Sequence, residues 1–279
     1  MILGIVYPTI IMGVLGLLFG ALLAFASIKF FVKIDERVSL IREILPGANC
    51  GGCGYPGCDG YADAVVSEGA NTGRCAAGGP NLAEKIAAIM GVASEAFVPM
   101  RAFLRCQGTA RVSARTVGYD GVRDCRSASI IPGGSPNACP YGCIGFGACV
   151  TVCNFGALSI VDGLVRVNAA KCVGCGACVD ICPKSVLGLT SRSSAVQVFC
   201  NSSWKGPDVK KVCSVGCLAC GLCVRSCPAK AITLQNNRAL IDTKLCTNCG
   251  TCVTKCPAKT IGPLNVRRVV EETADSECA

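Results

Sequence analysis

The sequence lacks histidine altogether and has few aromatic residues, with one tryptophan in 279 residues. Without histidine there can be no mixed cysteine-histidine zinc site, no Rieske centre, no histidine-ligated haem and no histidine-dependent acid-base or triad catalysis. A Walker A loop and a dinucleotide-binding glycine fingerprint are also missing. The chain therefore shows no stand-alone active site, and thiolate is the main metal ligand left to it.

Cysteine, by contrast, is abundant, with 25 residues in the chain. A disulfide framework is typical of short secreted proteins with an even number of cysteines, whereas this chain is long and its cysteine count is odd. Most of the cysteines also fall in tight triplets. Such triplets indicate metal sites.

The formal net charge of +9 counts every cysteine as neutral. An oxidised 4Fe-4S cluster with four thiolates carries roughly two negative charges, so five or six clusters would bring the net charge to roughly −1 or −3. The sequence has no dense Lys/Arg run and no platform of aromatic residues for base stacking. It therefore predicts no nucleic-acid partner.

Residues 1–33 form a segment of different composition, which we interpret as a transmembrane anchor. Twenty residues from Thr9 to Ile28 carry no charge, and a helix of that length spans the ~30 Å hydrocarbon core. A cleaved signal peptide is the alternative, but there is no positive region before the apolar run. Because the positive charges begin at Lys29, the positive-inside rule predicts a single pass with the N-terminus outside and the rest in the cytoplasm.

Residues 34–95 contain a glycine-rich run with four cysteines in Cys-x2-Cys-x4-Cys-x16-Cys spacing. Glycine lets the backbone wrap closely around a bulky cofactor and direct N–H groups at its sulfurs. A structural zinc site is the alternative, since four-cysteine zinc sites also begin with Cys-x2-Cys. We predict one 4Fe-4S cluster held by Cys50, Cys53, Cys58 and Cys75.

From residue 96 the chain repeats itself, and we divide it into modules at 96–195 and 196–262, followed by a polar tail at 263–279. Each half-repeat combines a cysteine run with short β-like segments, and Asp162-Gly163 and Asn236-Asn237 supply turns of the hairpin type. The predicted fold class is α+β: a transmembrane helix, a small 4Fe-4S domain and two tandem ferredoxin-like (βαβ)2 modules.

The second module carries the standard Cys-x2-Cys-x2-Cys-x3-Cys-Pro run twice. In two-cluster ferredoxins the fourth cysteine of each run ligates the other cluster. The same pairing applies to the second run of the first module. The predicted ligand sets are Cys217, Cys220, Cys223 with Cys256; Cys246, Cys249, Cys252 with Cys227; and Cys172, Cys175, Cys178 with Cys153.

The first run of the first module, "CIGFGACVTVCNFGAL", departs from the pattern. Phe146 replaces the second cysteine and Asn154 replaces the proline, which leaves Cys143, Cys149 and Cys182 one ligand short. We predict Cys139 as the fourth ligand. A different role for Cys139 stays open, because Cys213 has the same relation to Cys217 in the other module, where no ligand is missing.

Five cysteines then remain unassigned. Four of them, Cys106, Cys125, Cys200 and Cys213, would suffice for a sixth 4Fe-4S cluster, and the alternative is that they are ordinary thiols. The fifth, Cys278, lies in the polar tail and is predicted to have no metal role.

The single anchor, the "CGGCGYPGC" domain, the "YGCIGFGAC" variant and the two ferredoxin modules resemble the B subunit (iron-sulfur subunit) of the Rnf complex, the membrane-bound ferredoxin:NAD oxidoreductase, in its long form from anaerobes. The resemblance covers essentially the whole chain. It implies a protein of the cytoplasmic (inner) membrane that accepts electrons from soluble ferredoxin and passes them to membrane and flavin-bearing subunits, with transport of Na+ or H+. Two alternatives are an electron-transfer subunit of another membrane oxidoreductase and a zinc-bound structural protein.

Overall fold

A computed structural model describes residues 2–30, 35–94, 97–115, 119–130, 135 and 137–264. The chain begins with helix α1 (Ile2–Lys29). Within α1, the segment Ile10–Lys29 has a mean hydropathy of 2.4 and is not buried against the rest of the protein. At 1.5 Å per residue this segment is long enough to cross a bilayer core.

The next unit consists of helices α2 (Glu36–Ile44), α3 (Gly57–Ser67) and α4 (Gly79–Met90). The Asp35 side chain caps α2 by accepting a hydrogen bond from the Arg37 N–H at 2.9 Å. Tyr61, Ile41 and Ile86 are fully buried where the three helices meet. This apolar core places the four N-terminal cysteines on one side of the helices.

The first ferredoxin-like module contains two antiparallel strand pairs and three short helices. Its elements are β1 (Met100–Leu104), α5 (Cys125–Ile130), α6 (Ala148–Thr151), β2 (Leu158–Val161), β3 (Leu164–Val167), α7 (Ala177–Asp180) and β4 (Leu187–Ser191). Strand β1 pairs with β4, and β2 pairs with β3. Strand β1 thus closes onto the end of its own module, 83 residues later at the Leu104–Leu187 pair.

The second module repeats this arrangement. Its elements are β5 (Val196–Val198), α8 (Gly206–Val212), α9 (Leu222–Arg225), β6 (Ile232–Gln235), β7 (Arg238–Ile241), α10 (Thr251–Lys255) and β8 (Ile261–Pro263). Strand β5 pairs with β8, and β6 pairs with β7. Each module has its own buried core. The mixed helix and strand architecture confirms the predicted fold class.

The two predicted hairpin turns are present. Asp162 and Gly163 have φ values of 52° and 72°, and Asn236 and Asn237 have φ values of 48° and 57°. A two-residue hairpin with positive φ at both central positions matches the twist of its strands, which is why Asn, Asp and Gly occupy it. The four helices α6, α7, α9 and α10 each follow a left-handed glycine, and each buries the third cysteine of its run.

Candidate iron-sulfur sites

The structure brings its 24 described cysteines, none of them in a disulfide, into six groups of four. We number them sites 1 to 6. Their members are Cys50, Cys53, Cys58, Cys75 (site 1); Cys125, Cys143, Cys149, Cys182 (site 2); Cys153, Cys172, Cys175, Cys178 (site 3); Cys217, Cys220, Cys223, Cys256 (site 4); Cys227, Cys246, Cys249, Cys252 (site 5); and Cys106, Cys139, Cys200, Cys213 (site 6). Cys278 lies outside the described residues.

Sites 4 and 5 have the grouping that the standard motif predicts. The four cysteines of site 4 line one pocket. Burial, followed by the neighbouring Cys217, Cys256 and Cys220 thiols, raises the pKa of Cys223 to about 11. Burial raises the pKa of Cys252 in the same way, with Cys246, Cys227 and Cys249 as neighbours.

Sites 1 and 3 also have the predicted members. At site 1, burial and then the Cys50 and Cys53 thiols raise the pKa of Cys75. The Asn49 side chain accepts a hydrogen bond from the Cys58 N–H at 2.8 Å and fixes the loop. At site 3, burial and then the Cys172 and Cys175 thiols raise the pKa of Cys178 to about 12.

Site 2 differs from the prediction. Cys125, not Cys139, lies with Cys143, Cys149 and Cys182 around one pocket. Burial, followed by Cys125 and Cys182, raises the pKa of Cys149 to about 11.

Cys125 lies at site 2 because of the way the chain packs in three dimensions. Cys125 is 18 residues before Cys143 in the sequence, on helix α5, and reaches site 2 because the segment before it folds back onto the variant run. The Tyr119 ring of this segment packs against Phe146 with ring centroids 5.1 Å apart. Phe146 therefore occupies the position of the missing ligand and contacts the segment that brings the replacement.

Site 6 lies between the two ferredoxin modules. Cys106 and Cys139 come from the first module, and Cys200 and Cys213 are their counterparts in the repeat. The four thiols line one pocket. Burial, followed by the nearby Cys139 and Cys213, raises the pKa of Cys106 to about 11, and burial also raises the pKa of Cys200 to about 11. The sequence-based group for a sixth cluster had Cys125 in place of Cys139, so the structure exchanges these two residues.

The pairing at site 6 is symmetric in detail. Cys106 and Cys200 each accept a hydrogen bond from the backbone N–H two residues later. Gly108 donates to Cys106 Sγ at 3.4 Å, and Ser202 donates to Cys200 Sγ at 3.5 Å. The backbone N–H of Cys143 also donates to Cys106 Sγ at 3.5 Å, and the backbone of Cys217 bonds Cys200 correspondingly. Sequence reasoning met one signal of this symmetry, the equal spacing of Cys139 and Cys213 from the runs that follow them.

The donor set fits iron-sulfur clusters. Backbone N–H groups donate to further cysteine sulfurs: Ala102 to Cys172 at 3.3 Å, Ala157 to Cys153 at 3.4 Å, Ala231 to Cys227 at 3.4 Å and Thr260 to Cys256 at 3.3 Å. Such bonds favour the thiolate and help to set the cluster potential. Four close, buried thiolates would repel one another, and the iron of a cluster offsets this repulsion.

A single zinc ion fits less well. A zinc site needs four sulfurs each ≈ 2.3 Å from one ion. Within the described part of the chain, no group of three or more cysteine or carboxylate side chains is arranged to hold one metal ion.

The sites form one continuous series. Site 1 contacts site 3, because the Gly52 backbone packs against Cys175 and Cys50 lies near the Cys175 thiol. Cys149 of site 2 is likewise a neighbour of Cys178 of site 3. Site 6 contacts site 2 through Cys106 and Cys143 and contacts site 4 through Cys200 and Cys217. The fourth cysteine of each run in the second module lies at the site of the other run, so the spatial order of the sites is 1, 3, 2, 6, 4, 5.

Comparison with known proteins gives matches along most of the chain. Residues 45–76 match the family described as "Putative Fe-S cluster", and residues 142–186 and 216–261 each match a "4Fe-4S dicluster domain". The 4Fe-4S domains are thereby shown, although the matched segments include none of Cys106, Cys125, Cys139, Cys200 or Cys213.

Three relatives match this chain over most of its length. The B subunit of the proton-translocating ferredoxin:NAD(+) oxidoreductase complex of Clostridium ljungdahlii is 45% identical over 85% of this chain and 84% of its own length. The B subunit of the Na(+)-translocating complex of Acetobacterium woodii is 45% identical over 87% of this chain and 73% of its own length. The B subunit of the ion-translocating oxidoreductase complex of Methanosarcina acetivorans is 42% identical over 84% of this chain and 88% of its own length. The chain belongs to the B-subunit family of the Rnf-type, ion-translocating ferredoxin:NAD(+) oxidoreductases.

Proposed function

We propose that this chain is the membrane-anchored electron relay of an ion-translocating ferredoxin:NAD+ oxidoreductase. It accepts electrons from reduced ferredoxin and passes them to partner subunits. The observation that carries the proposal is the unbroken series of six four-cysteine sites in a member of this family. With no nucleotide-binding motif in the sequence, the chain is a conductor within the enzyme.

Each site holds one 4Fe-4S cluster in this proposal, which gives five clusters at sites 1 to 5 and a sixth between the modules. A bound 4Fe-4S cluster supplies one-electron chemistry. The protein contributes the thiolates, the backbone N–H groups that stabilise their charge, and an apolar surrounding that excludes water. We retain the domain limits inferred from the sequence: 1–33, 34–95, 96–195, 196–262 and 263–279.

The charge distribution supports a direction for the relay. Residues 196–262 contain nine Lys/Arg and two Asp/Glu, whereas residues 34–95 contain four Lys/Arg and eight Asp/Glu. A positive surface favours encounter with an acidic electron carrier. Ferredoxin therefore docks at the module of sites 4 and 5, and site 1, tethered to the anchor, delivers electrons to the membrane subunits.

The chain is associated with the membrane through α1. In the proposed topology it is a single-pass protein of the cytoplasmic membrane, with the N-terminus outside and the cluster domains in the cytoplasm, since the positive charges follow the apolar run. A single uncharged helix offers no ion pathway. Transport of Na+ or H+ and reaction with NAD are consequently tasks of the other membrane and flavin-bearing subunits.

The cluster number is tested by measuring iron and acid-labile sulfide in the full chain, purified without oxygen in detergent. Six clusters predict about 24 iron with matching sulfide. About 20 iron would mean that one of the six sites holds no cluster. Zinc in place of iron would overturn the proposed electron relay.

The direction is tested with Cys53→Ser in the assembled complex. Because site 1 is the exit, this variant should still be reduced by ferredoxin at its remaining clusters while NAD reduction stops. Loss of cluster reduction by ferredoxin would show that electrons enter at site 1 instead.

A further inference from the structure

Two arginines lie beside site 6. Arg105 directly precedes Cys106 and lines the site 6 cavity. Arg238, at the start of β7, donates from Nη1 to the backbone oxygen of Asn201 at 3.3 Å and to its side-chain oxygen, and Asn201 lines the same cavity. The positive charges of the two guanidinium groups act on each other and repel.

No carboxylate compensates this pair among the described residues. The ion pairs among the described residues involve other cations, namely Arg37, Arg42 and Lys211. The Nε of Arg238 is buried and has no hydrogen-bond partner among the described residues. Two partly buried like charges are costly unless an anion lies near them.

Packing fixes the guanidinium of Arg105 in place. It lies over the Phe103 ring, 5.4 Å from the ring centroid. A Cβ atom added at Gly188 would lie 2.7 Å from its Nη2. Gly188 pairs with Phe103 across β1 and β4, so the guanidinium contacts both an aromatic ring and the bare backbone of the paired strand.

We propose that Arg105 and Arg238 are the counter-charge of the cluster at site 6 and raise its reduction potential. The inference rests on the proposed assignment of a 4Fe-4S cluster to Cys106, Cys139, Cys200 and Cys213. When such a cluster accepts one electron from a reduced neighbour, its charge changes from about −2 to about −3. Nearby positive charges at low dielectric stabilise the reduced form more than the oxidised form.

This position matters because site 6 joins the two modules. In the spatial order of the sites, each electron that moves from sites 4 and 5 to sites 2, 3 and 1 passes site 6. A raised potential makes site 6 the place in the middle of the relay where an electron resides, and disfavours its return to the entry module.

The test is an EPR-monitored redox titration of the full chain and its variants, purified anaerobically in detergent. Cys106→Ser identifies the signal of site 6 by its loss. Arg105→Gln removes one charge, Arg105→Lys keeps it, and Gly188→Ala displaces the guanidinium without changing any charge. Lys85→Gln, which removes an exposed positive charge on α4, is the control.

At a fixed potential, Arg105→Gln should lower the reduced-to-oxidised ratio of the site 6 cluster about tenfold, which is a midpoint about 59 mV more negative for a one-electron couple. Gly188→Ala should shift the midpoint in the same direction. Arg105→Lys should restore most of the shift, and Lys85→Gln should cause none.

Two failures are distinguishable. If Cys106→Ser leaves the iron content unchanged, site 6 holds no cluster and the proposed relay loses its link between modules. If Cys106→Ser loses about four iron but neither Arg105→Gln nor Gly188→Ala moves the midpoint, the cluster stands and the role of the arginines is overturned.

Discussion

The rings of Phe146 and Tyr119 pack against each other with centroids 5.1 Å apart and planes tilted by 41°. Phe146 occupies the position of the second cysteine in a standard ferredoxin run, and Tyr119 belongs to the segment that leads to Cys125. Such aromatic pairs contribute about 0.5–1.5 kcal/mol beyond the area they bury. The loss of one ligand and the arrival of another are therefore linked by one contact.

The first prediction concerns the fourth ligand of site 2. Cys125→Ser should destabilise the cluster of site 2 and remove up to about four iron from the chain, because three thiolates at this site leave one iron without a protein ligand. Adding Phe146→Cys to Cys125→Ser should restore the iron, since it returns a thiolate to the standard position. Iron analysis and EPR after anaerobic reconstitution give the measurement.

Cys139→Ser supplies the matched comparison for that rescue. It should also lose about four iron, but from site 6, so Phe146→Cys should not recover them. If Phe146→Cys restored iron in the Cys139→Ser variant but not in the Cys125→Ser variant, Cys139 and not Cys125 would be the fourth ligand of site 2.

The second prediction is that Cys139 and Cys213 serve one site, although they belong to different modules. Each change to serine should remove the same cluster, so the double variant should lose about four iron and not eight. A loss of about eight would place the two thiols in separate clusters. The repeat symmetry of the two modules predicts equal effects of the two single changes.

The third prediction concerns the contact between sites 1 and 3. A Cβ atom at Gly52 would lie 2.5 Å from the backbone oxygen of Cys175, and a backbone atom cannot move aside cheaply. Gly52→Ala should weaken docking of the N-terminal domain by about 1–3 kcal/mol. We expect slower electron transfer into site 1 with the iron content unchanged, measured by rapid mixing with reduced ferredoxin.

Gly60→Ala is the control for this change. Gly60 lies on α3, where the atoms nearest to an added Cβ belong to Pro56 and Tyr55 of its own domain. Transfer into site 1 should stay near the rate of the parent chain. Equal slowing by both variants would mean that local damage to the domain, and not its docking, limits transfer.

The fourth prediction follows from the exposure of Cys249. This thiol is exposed, and hydrogen bonds from Thr251 lower its pKa, whereas Cys143 and Cys149 are buried. Under limited oxidation by ferricyanide, site 5 should lose its cluster before site 2. Alkylation followed by mass spectrometry should label Cys249 early; earlier labelling of Cys143 would contradict the assigned exposure order.

The departure at Asn154 also has a structural role that its position in the run did not predict. A standard run has proline here, which has no side-chain donor. The Asn154 side chain donates to the backbone oxygen of Ala48 at 3.4 Å, next to the cysteines of site 1. Together with Gly52 it fastens the N-terminal domain to the first module.

The sequence alone determined the features that depend on local spacing. Cysteines two residues apart, glycines before the short helices and Asn or Asp at the hairpin turns specify their own loops, because each depends on neighbouring backbone angles. The N-terminal cysteine run, the two standard runs of the second module and the apolar length of α1 are of this kind. They sufficed to predict the fold class and the family.

Only the tertiary structure decided where Cys125 and Cys139 belong. Both precede the variant run, and Cys139 is nearer in sequence, yet the contact of Tyr119 with Phe146 brings Cys125 to site 2 and leaves Cys139 facing Cys213. The same holds for Arg105 and Arg238, which are 133 positions apart in the chain and meet at site 6. Such groupings depend on how separate segments pack, and apart from the equal spacing of Cys139 and Cys213 from the runs that follow them, spacing along the chain does not reveal them.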